Sequence, residues 1–401
     1  MGLDPLNQIL LYAFIGAFAL GAIANKTNFC TMGAVSDWIN MGKTGRLWAW
    51  FTAIAVAILG VLALEAFAGV SVDKTLPPYR TANFAWLRYL LGGFLFGIGM
   101  TLAGGCGNKT MLNIGAGNTK SILVLGVTGY FAYLMTKTDF YGILFHSWIS
   151  GTAIDLASHD INSQSLDAIG ASLTGLDAGM LHNGIGIAIA VTLLVMAFRN
   201  KHFLGHANHA ISGILIGLIV VAAWYVTGGP LGQEAIEAAE WMDEVPAGVG
   251  VQSYTFINPM GESLYYLMNG ADKLFLTFGV VAVAGVIIGS LITAVITGKF
   301  KFVWFTSLAD FVNHFAGATL MGIGGVLAMG CTIGQGISGV STLSLGSFIA
   351  LGSIIFGSAL TMKIQYYKLM YDDEANFLSA SLSSLVDMRL LPEGMRKLDP
   401  P

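Results

Sequence analysis

The sequence predicts an all-α polytopic membrane protein of about nine transmembrane helices with short re-entrant helices between them, arranged as two inverted repeats. Three observations carry this prediction. Only 10% of the 401 residues are charged and 55% are hydrophobic, with a mean hydropathy of +0.71, whereas a soluble domain carries about 25% charged residues. Apolar runs of roughly 15 to 25 residues recur between polar breaks, long enough to cross a bilayer as helices. A ten-residue motif also occurs twice. A β-barrel would show short alternating segments instead, and none are present.

The expected spans lie at about 6–24, 46–68, 84–105, 119–135, 183–198, 209–227, 273–297, 308–330 and 344–366. The first, "LNQILLYAFIGAFALGAIA", follows Asp4 in place of a basic segment and lacks a small-residue cleavage site, so it reads as a span and not as a signal peptide. Segments 25–41, 106–118 and 331–343 are too polar and Gly-rich to span. Residues 1–366 read as one transmembrane domain with external inserts at about 136–182 and 228–272, and 367–401 as a cytoplasmic tail. Within the second insert, "EAIEAAEWMDEV" reads as a short external helix.

Charge orients the bundle. Lys26, Lys43 and Arg46 lie in 25–46, Arg199 and Lys201 in 199–208, and Lys299 and Lys301 in 298–306, while the other long connections are acidic. Cytoplasmic loops are those enriched in Lys and Arg. Nine spans then put the N-terminus outside and the C-terminus in the cytoplasm, in a plasma (cell inner) membrane. The net charge of −4 adds little.

Residues 97–106, "GIGMTLAGGC", and 322–331, "GIGGVLAMGC", share seven identities in ten. The offset of 225 (331 − 106) also pairs Gly92 with Gly317. On the charge-based topology the two copies run in opposite directions, as in transporters whose sites lie at broken helices near the midplane. Irregular backbone at that depth requires protein or a water-lined cavity to satisfy it. Gly92 to Gly99 read as helix-packing positions; Gly104, Gly105, Gly107, Gly330 and Gly334 read as helix breaks.

The three cysteines, Cys30, Cys106 and Cys331, form no CxxC pair, zinc pattern or disulfide framework. A lone membrane cysteine is ordinarily a small buried hydrophobe. Here each stands in a polar break beside groups able to satisfy an anion. Lys26 and Asn28 precede Cys30; Asn108, Lys109 and Thr110 follow Cys106; Thr332 and Gln335 follow Cys331. Short helices starting at these breaks would aim free N–H groups and a positive dipole end into a pathway. A thiol adds a weak donor and a polarizable surface suited to sulfur, so a sulfur-bearing anion is the natural solute.

"NFCTMGAVSDWINMGKTGR", "GGFLFGIGMTLAGGCGNKT" and "GIGGVLAMGCTIGQGISG" together resemble the YeeE/YedE family of sulfur-transport membrane proteins. That resemblance implies inverted halves with short inserted helices and import of thiosulfate. It also implies that Cys30, Cys106 and Cys331 act as hydrogen-bond relay sites, and that a cytoplasmic TusA-like sulfur carrier is the partner. The chain departs from the family pattern in its long inserts and in carrying Lys26 where an arginine is usual.

Two other readings stay open on the residues alone: a membrane thiol enzyme forming a cysteine persulfide or mixed disulfide, and a soft-metal channel using three thiolates. No motif requires a cofactor, a nucleotide or nucleic acid, and "GAGNTK" lacks Walker A spacing. His202, His206 and His209 read as part of a basic loop, and Glu65 as a carboxylate snorkelling to the interface. Asn313 and His314 lie near the inner mouth. Trp38, Trp48, Trp50, Trp86 and Trp304 read as interfacial belt residues, and "NFLSASLSSLVDMRLLPEGMRK" as an amphipathic helix on the membrane or on a partner.

Overall fold

The computed structural model describes residues 4–371 and 376–399. Its helices, in chain order, are α1 (Pro5–Thr27), α2 (Thr31–Met41), α3 (Gly45–Phe67), α4 (Trp86–Leu102), α5 (Gly107–Gly115), α6 (Lys120–Lys137), α7 (Leu166–Thr174), α8 (Ala178–Arg199) and α9 (Ala207–Gly228). There follow α10 (Pro230–Glu240), α11 (Ile257–Met268), α12 (Phe278–Ile296), α13 (Leu308–Leu327), α14 (332–341), α15 (Leu345–Tyr371) and α16 (Phe377–Asp387). Among the described residues nine long helices stand at the nine predicted spans. Among the described residues seven helices are long and apolar enough to cross a membrane; α6 and α13 stand at the other two predicted spans and pack along each other.

Helix directions follow from which glycines meet which neighbours. A Cβ on Gly92 would meet Gly324 and Ala328, and one on Gly99 would meet Gly317 and Met321, so α4 and α13 run antiparallel. Gly93 meets Ala350 and Gly97 meets Ile354, making α4 and α15 parallel. Thr128 bonds the Ala318 carbonyl at 3.1 Å and Gly322 abuts Thr128, making α6 and α13 parallel in the same way. Likewise α1 runs parallel to α12, with Asn25 bonding Ser290 at 2.7 Å, and α9 runs parallel to α3, with Gly213 on Ala49 and Gly217 on Ala53.

These pairings repeat with the halves exchanged. Helices α1 to α6 correspond to α9, α11, α12, α13, α14 and α15, and each half packs its long helices against the other's. The predicted inverted repeat is therefore interlocked, and α8, which joins the halves in sequence, packs on the outside of α3. Small residues let the α4 and α13 backbones touch: a Cβ on Gly99 would lie 2.6 Å from the Gly317 carbonyl oxygen. Close packing of this kind, in place of a hydrophobic driving force, holds helices together in lipid.

Several sequence expectations need correction. The 228–272 segment is not wholly external: α11 turns back into the bundle, burying Ile257 and Met260 against α6, α12 and α13. Helix α10 does form from the acidic stretch, capping the end of α9. Glu65 does not snorkel; it binds Arg80 at 3.1 Å and His182 at 2.7 Å, and His182 also reaches Asp167 at 3.1 Å. Trp50 is no belt residue, being 2% exposed and stacked on Phe29 at a centroid distance of 6.1 Å. The tail helix α16 docks on the chain's own α15 through Asp387, which binds Lys363 and Arg396.

Candidate functional site

Each cysteine sits at a helix break of the same construction. Two residues before it, the chain enters the left-handed region: Asn28 (φ 54°), Gly104 (φ 71°) and Met329 (φ 60°). The following N–H then closes a bond back across the last helical turn, from Phe29 to Ala24 at 3.1 Å, Gly105 to Met100 at 2.9 Å and Gly330 to Gly325 at 2.8 Å. This is the Schellman way of ending a helix. Asparagine and glycine take the left-handed turn readily, whereas at Met329 it costs about 1–2 kcal/mol.

Directly after each break a new short helix begins, with the cysteine at its start. Cys30 caps α2, its Sγ accepting from Gly33 N at 3.5 Å, and Cys331 caps α14 by the same bond from Gly334 N at 3.4 Å. Cys106 is the N-cap residue of α5. A fourth short helix, α11, starts at Phe256. The N-termini of α2 and α5 and those of α11 and α14 thus meet inside the bundle from opposite faces. Free N–H groups and positive dipole ends collect there.

The thiols are 5%, 1% and 0% exposed in chain order. Their neighbours arrange them in a row. The Cys331 thiol faces the Thr255 hydroxyl and the Phe256 backbone. The Cys106 thiol lies against the Cys30 thiol and beside Thr332. Lys109 and Arg46 bring positive charge to bear on Cys30. Along this row Thr31 Oγ1, Thr255 Oγ1, Thr332 Oγ1, Asn108 Oδ1 and Trp50 Nε1 are buried and have no hydrogen-bond partner. Orphaned polar groups inside a protein are expensive unless something else meets them.

A cavity opens at either end of the row. One, of about 500 Å³, is walled by Thr255, Val326, Met329, Arg88, Asn258 and Glu262, next to Cys331. The other, of about 540 Å³, is walled by Asn28, Asp37, Lys43, Arg46, Lys201 and the histidines His202, His206 and His209, next to Cys30. The second adjoins the end of α1 and the start of α9; the first reaches Gly248, Gln252 and Phe278, which also border the opposite ends of those two helices. The 23 residues of α1 set the two faces roughly 34 Å apart at 1.5 Å per residue.

The residues singled out from sequence are distributed as follows. Asn28, Gly105 and Gly330 belong to the break geometry, and Asn28 also lines the Arg46 cavity. Asn108, Lys109, Thr110 and Thr332 occupy the first turns of α5 and α14, around the thiols. Gln335 braces the break, its amide N–H donating to the Ala328 carbonyl at 2.5 Å, while its Oε1 is buried without a hydrogen-bond partner. Lys26 is exposed and has no ion-pair partner among the described residues, leaving Lys109 and Arg46 as the cationic neighbours of Cys30. Sequence reasoning missed Thr255, Arg46, Arg88 and Trp50. The equivalence of α11 with α2 was the available signal for Thr255, since both are short helices after a long span.

An interlocked pair of inverted repeats, with broken helices meeting between two cavities on opposite faces, defines a polytopic membrane protein of the transporter class. The chain belongs to the sulphur transport family, which matches residues 26–360. It is 26% identical over 369 residues to the thiosulfate transporter TsuA of Escherichia coli strain K12, covering 87% of this chain and 93% of that protein. It is 27% identical over 346 residues to the thiosulfate transporter TsuA of Spirochaeta thermophila, covering 85% and 94%.

Proposed function

We propose that the protein imports thiosulfate, or a closely related sulfur-containing anion, from the Arg88 cavity past Cys331, Cys106 and Cys30 to the Arg46 cavity. The observation that carries this reading is the row of three buried thiols, each at the start of a short helix, between two cavities. Helix N-termini supply partial positive charge without a fixed cation, which suits an anion that must move on. Each S–H is a weak donor with a soft surface for a sulfane sulfur. The orphaned hydroxyls of Thr255, Thr332 and Thr31 would give the oxyanion oxygens partners along the way. Lys109, which has no ion-pair partner among the described residues, would attract the anion toward the exit.

The Lys and Arg residues of the loops around the Arg46 cavity support a reading in which that face is cytoplasmic and the N-terminus lies outside. Residues 1–366 are then the transporting unit of a plasma (cell inner) membrane protein. A cytoplasmic TusA-like sulfur carrier is the partner placed to collect the anion at the exit, close to the tail 367–401. The thiols act as hydrogen-bond sites and remain unmodified, which separates this reading from persulfide or mixed-disulfide chemistry.

The test is flux into proteoliposomes of the purified protein with thiosulfate, sulfite, sulfate and selenium oxyanions in parallel, followed by intact-mass analysis. Thiosulfate flux well above sulfate flux, with protein of unchanged mass, supports the proposal. Sulfate flux equal to thiosulfate flux removes the role of the thiols, and a stable sulfur adduct on a cysteine replaces transport by the covalent reading.

A further inference from the structure

The first cavity contains an arginine that forms no ion pair among the described residues. Arg46, Arg80 and Arg396 are each paired with carboxylates. Arg88, in the first turn of α4, has no carboxylate partner among the described residues. Its guanidinium carbon sits 5.1 Å from the centre of the Tyr141 ring, and its Nε is buried without a hydrogen-bond partner. A cation held over an aromatic face is stabilised while its N–H edges stay free. Arg88 lines the cavity of about 500 Å³ together with Thr255, Asn258 and Met329.

The one acidic residue lining this cavity is engaged elsewhere: Glu262 accepts from the Thr277 hydroxyl at 2.6 Å. The Asn258 side-chain oxygen is a second buried polar atom without a partner. Its amide can turn either end to a ligand, since the oxygen and nitrogen are interchangeable in shape.

We propose that Arg88, positioned by Tyr141, is the capture residue for the oxygen end of a tetrahedral dianion, and that the thiol row reads the other end. The inference rests on the transport reading and divides recognition into two parts. Guanidinium N–H groups suit sulfonate-type oxygens in bidentate geometry. Thiosulfate and sulfate share those oxygens, so both bind at Arg88; thiosulfate alone has a sulfane sulfur to pass to Cys331. Sulfate is then a competitive inhibitor of thiosulfate flux that is itself poorly carried.

The experiment measures thiosulfate flux in proteoliposomes against concentration, with and without sulfate, for wild type, Arg88→Gln and Arg88→Lys, each checked for a monodisperse fold. Arg88→Gln is expected to raise KM about tenfold or more with Vmax retained, and to abolish inhibition by sulfate. Arg88→Lys, which keeps charge without the planar fork, is expected to fall between. An unchanged KM in folded Arg88→Gln, or undiminished sulfate inhibition of it, overturns the capture role even if wild-type flux is normal. Absence of thiosulfate flux in wild type itself would instead remove the transport reading on which the inference rests.

Discussion

The thiols of Cys30 and Cys106 lie against each other in the protein interior although 76 residues (106 − 30) separate them in sequence. The contact joins the starts of α2 and α5. It exists because α1 and α4 both end in left-handed residues two positions before a cysteine. A mild thiol oxidant such as diamide should take one hydrogen from each sulfur, form the Cys30–Cys106 disulfide and itself become the hydrazine. Counted with an alkylating probe after denaturation, three free thiols should fall to one, and dithiothreitol should restore them. Three free thiols after prolonged oxidation would mean that the two sulfurs are not neighbours.

The crossing of α4 and α13 depends on glycine. Gly99→Val would drive side-chain atoms into the Gly317 backbone, which already lies 2.6 Å from where a Cβ would be. Overpacking of this kind costs about 1–3 kcal/mol, and more where backbone cannot move, so the yield of folded protein and its melting temperature should fall sharply. Gly126→Ala in α6, with nothing within 4 Å, should be neutral or slightly stabilising. Equal melting temperatures for the two variants would refute the close crossing.

Arg80 ties three segments together. It donates to the Thr342 carbonyl at 2.9 Å, to Glu65 at 3.1 Å and to Asp73 at 2.9 Å, and is 7% exposed. Nearby, the Tyr79 hydroxyl donates to the Gly334 carbonyl at 2.9 Å. Both contacts brace α14 and with it Cys331. Arg80→Ala loses three hydrogen bonds at once, one of them to the Thr342 carbonyl, and at about 1 kcal/mol or more each should be clearly destabilised in thermal melts. Tyr79→Phe, which loses one hydrogen bond, should cost about 1 kcal/mol. A melting temperature for Arg80→Ala within error of Tyr79→Phe would show that the cluster is solvated and weak.

Docking of α16 should be acid-sensitive. Burial raises the Asp387 carboxyl, but bonds from Arg396 at 2.7 Å and Lys363 at 3.1 Å outweigh it and hold the group below the ordinary carboxylate range. A carboxyl depressed in the folded state contributes stability above its ordinary pKa of about 3.9, and that stability is lost as pH falls through the lower folded value. Hydrogen exchange in α16, corrected for intrinsic rate, should be slow at about pH 6 and fast below about pH 3. Asp387→Asn should exchange fast throughout. Protection that does not change over this range would place the docking energy in apolar contacts alone.

The architecture was legible because lipid permits few alternatives: nine apolar runs and a motif repeated at a fixed offset led to nine long helices in antiparallel copies. The cysteine breaks were also legible, since Asn28, Gly104 and Gly105 are residues that end helices. Met329 gave no such signal; its left-handed turn is imposed by its neighbours at a place where Gly104 is the repeat's natural choice. Helix α11 was hidden in an acidic segment because its burial comes from packing against α6, and its own polar face reads as loop. Trp50 looked like a belt residue because sequence cannot show that the end of α1 brings Phe29 against it. The two arginines at the ends of the row were missed for a related reason: what distinguishes Arg88 from Arg80 is the absence of a carboxylate in space.

The most direct measurement of the central claim is thiosulfate uptake, at matched amounts of folded protein, by Cys30→Ala, Cys106→Ala and Cys331→Ala. If the three thiols form one pathway, Cys106→Ala and Cys331→Ala should each lose nearly all uptake, on the order of tenfold or more. Cys30→Ala should lose it without a fall in affinity at the Arg88 cavity. Uptake at the wild-type rate by folded Cys106→Ala and Cys331→Ala would contradict the account.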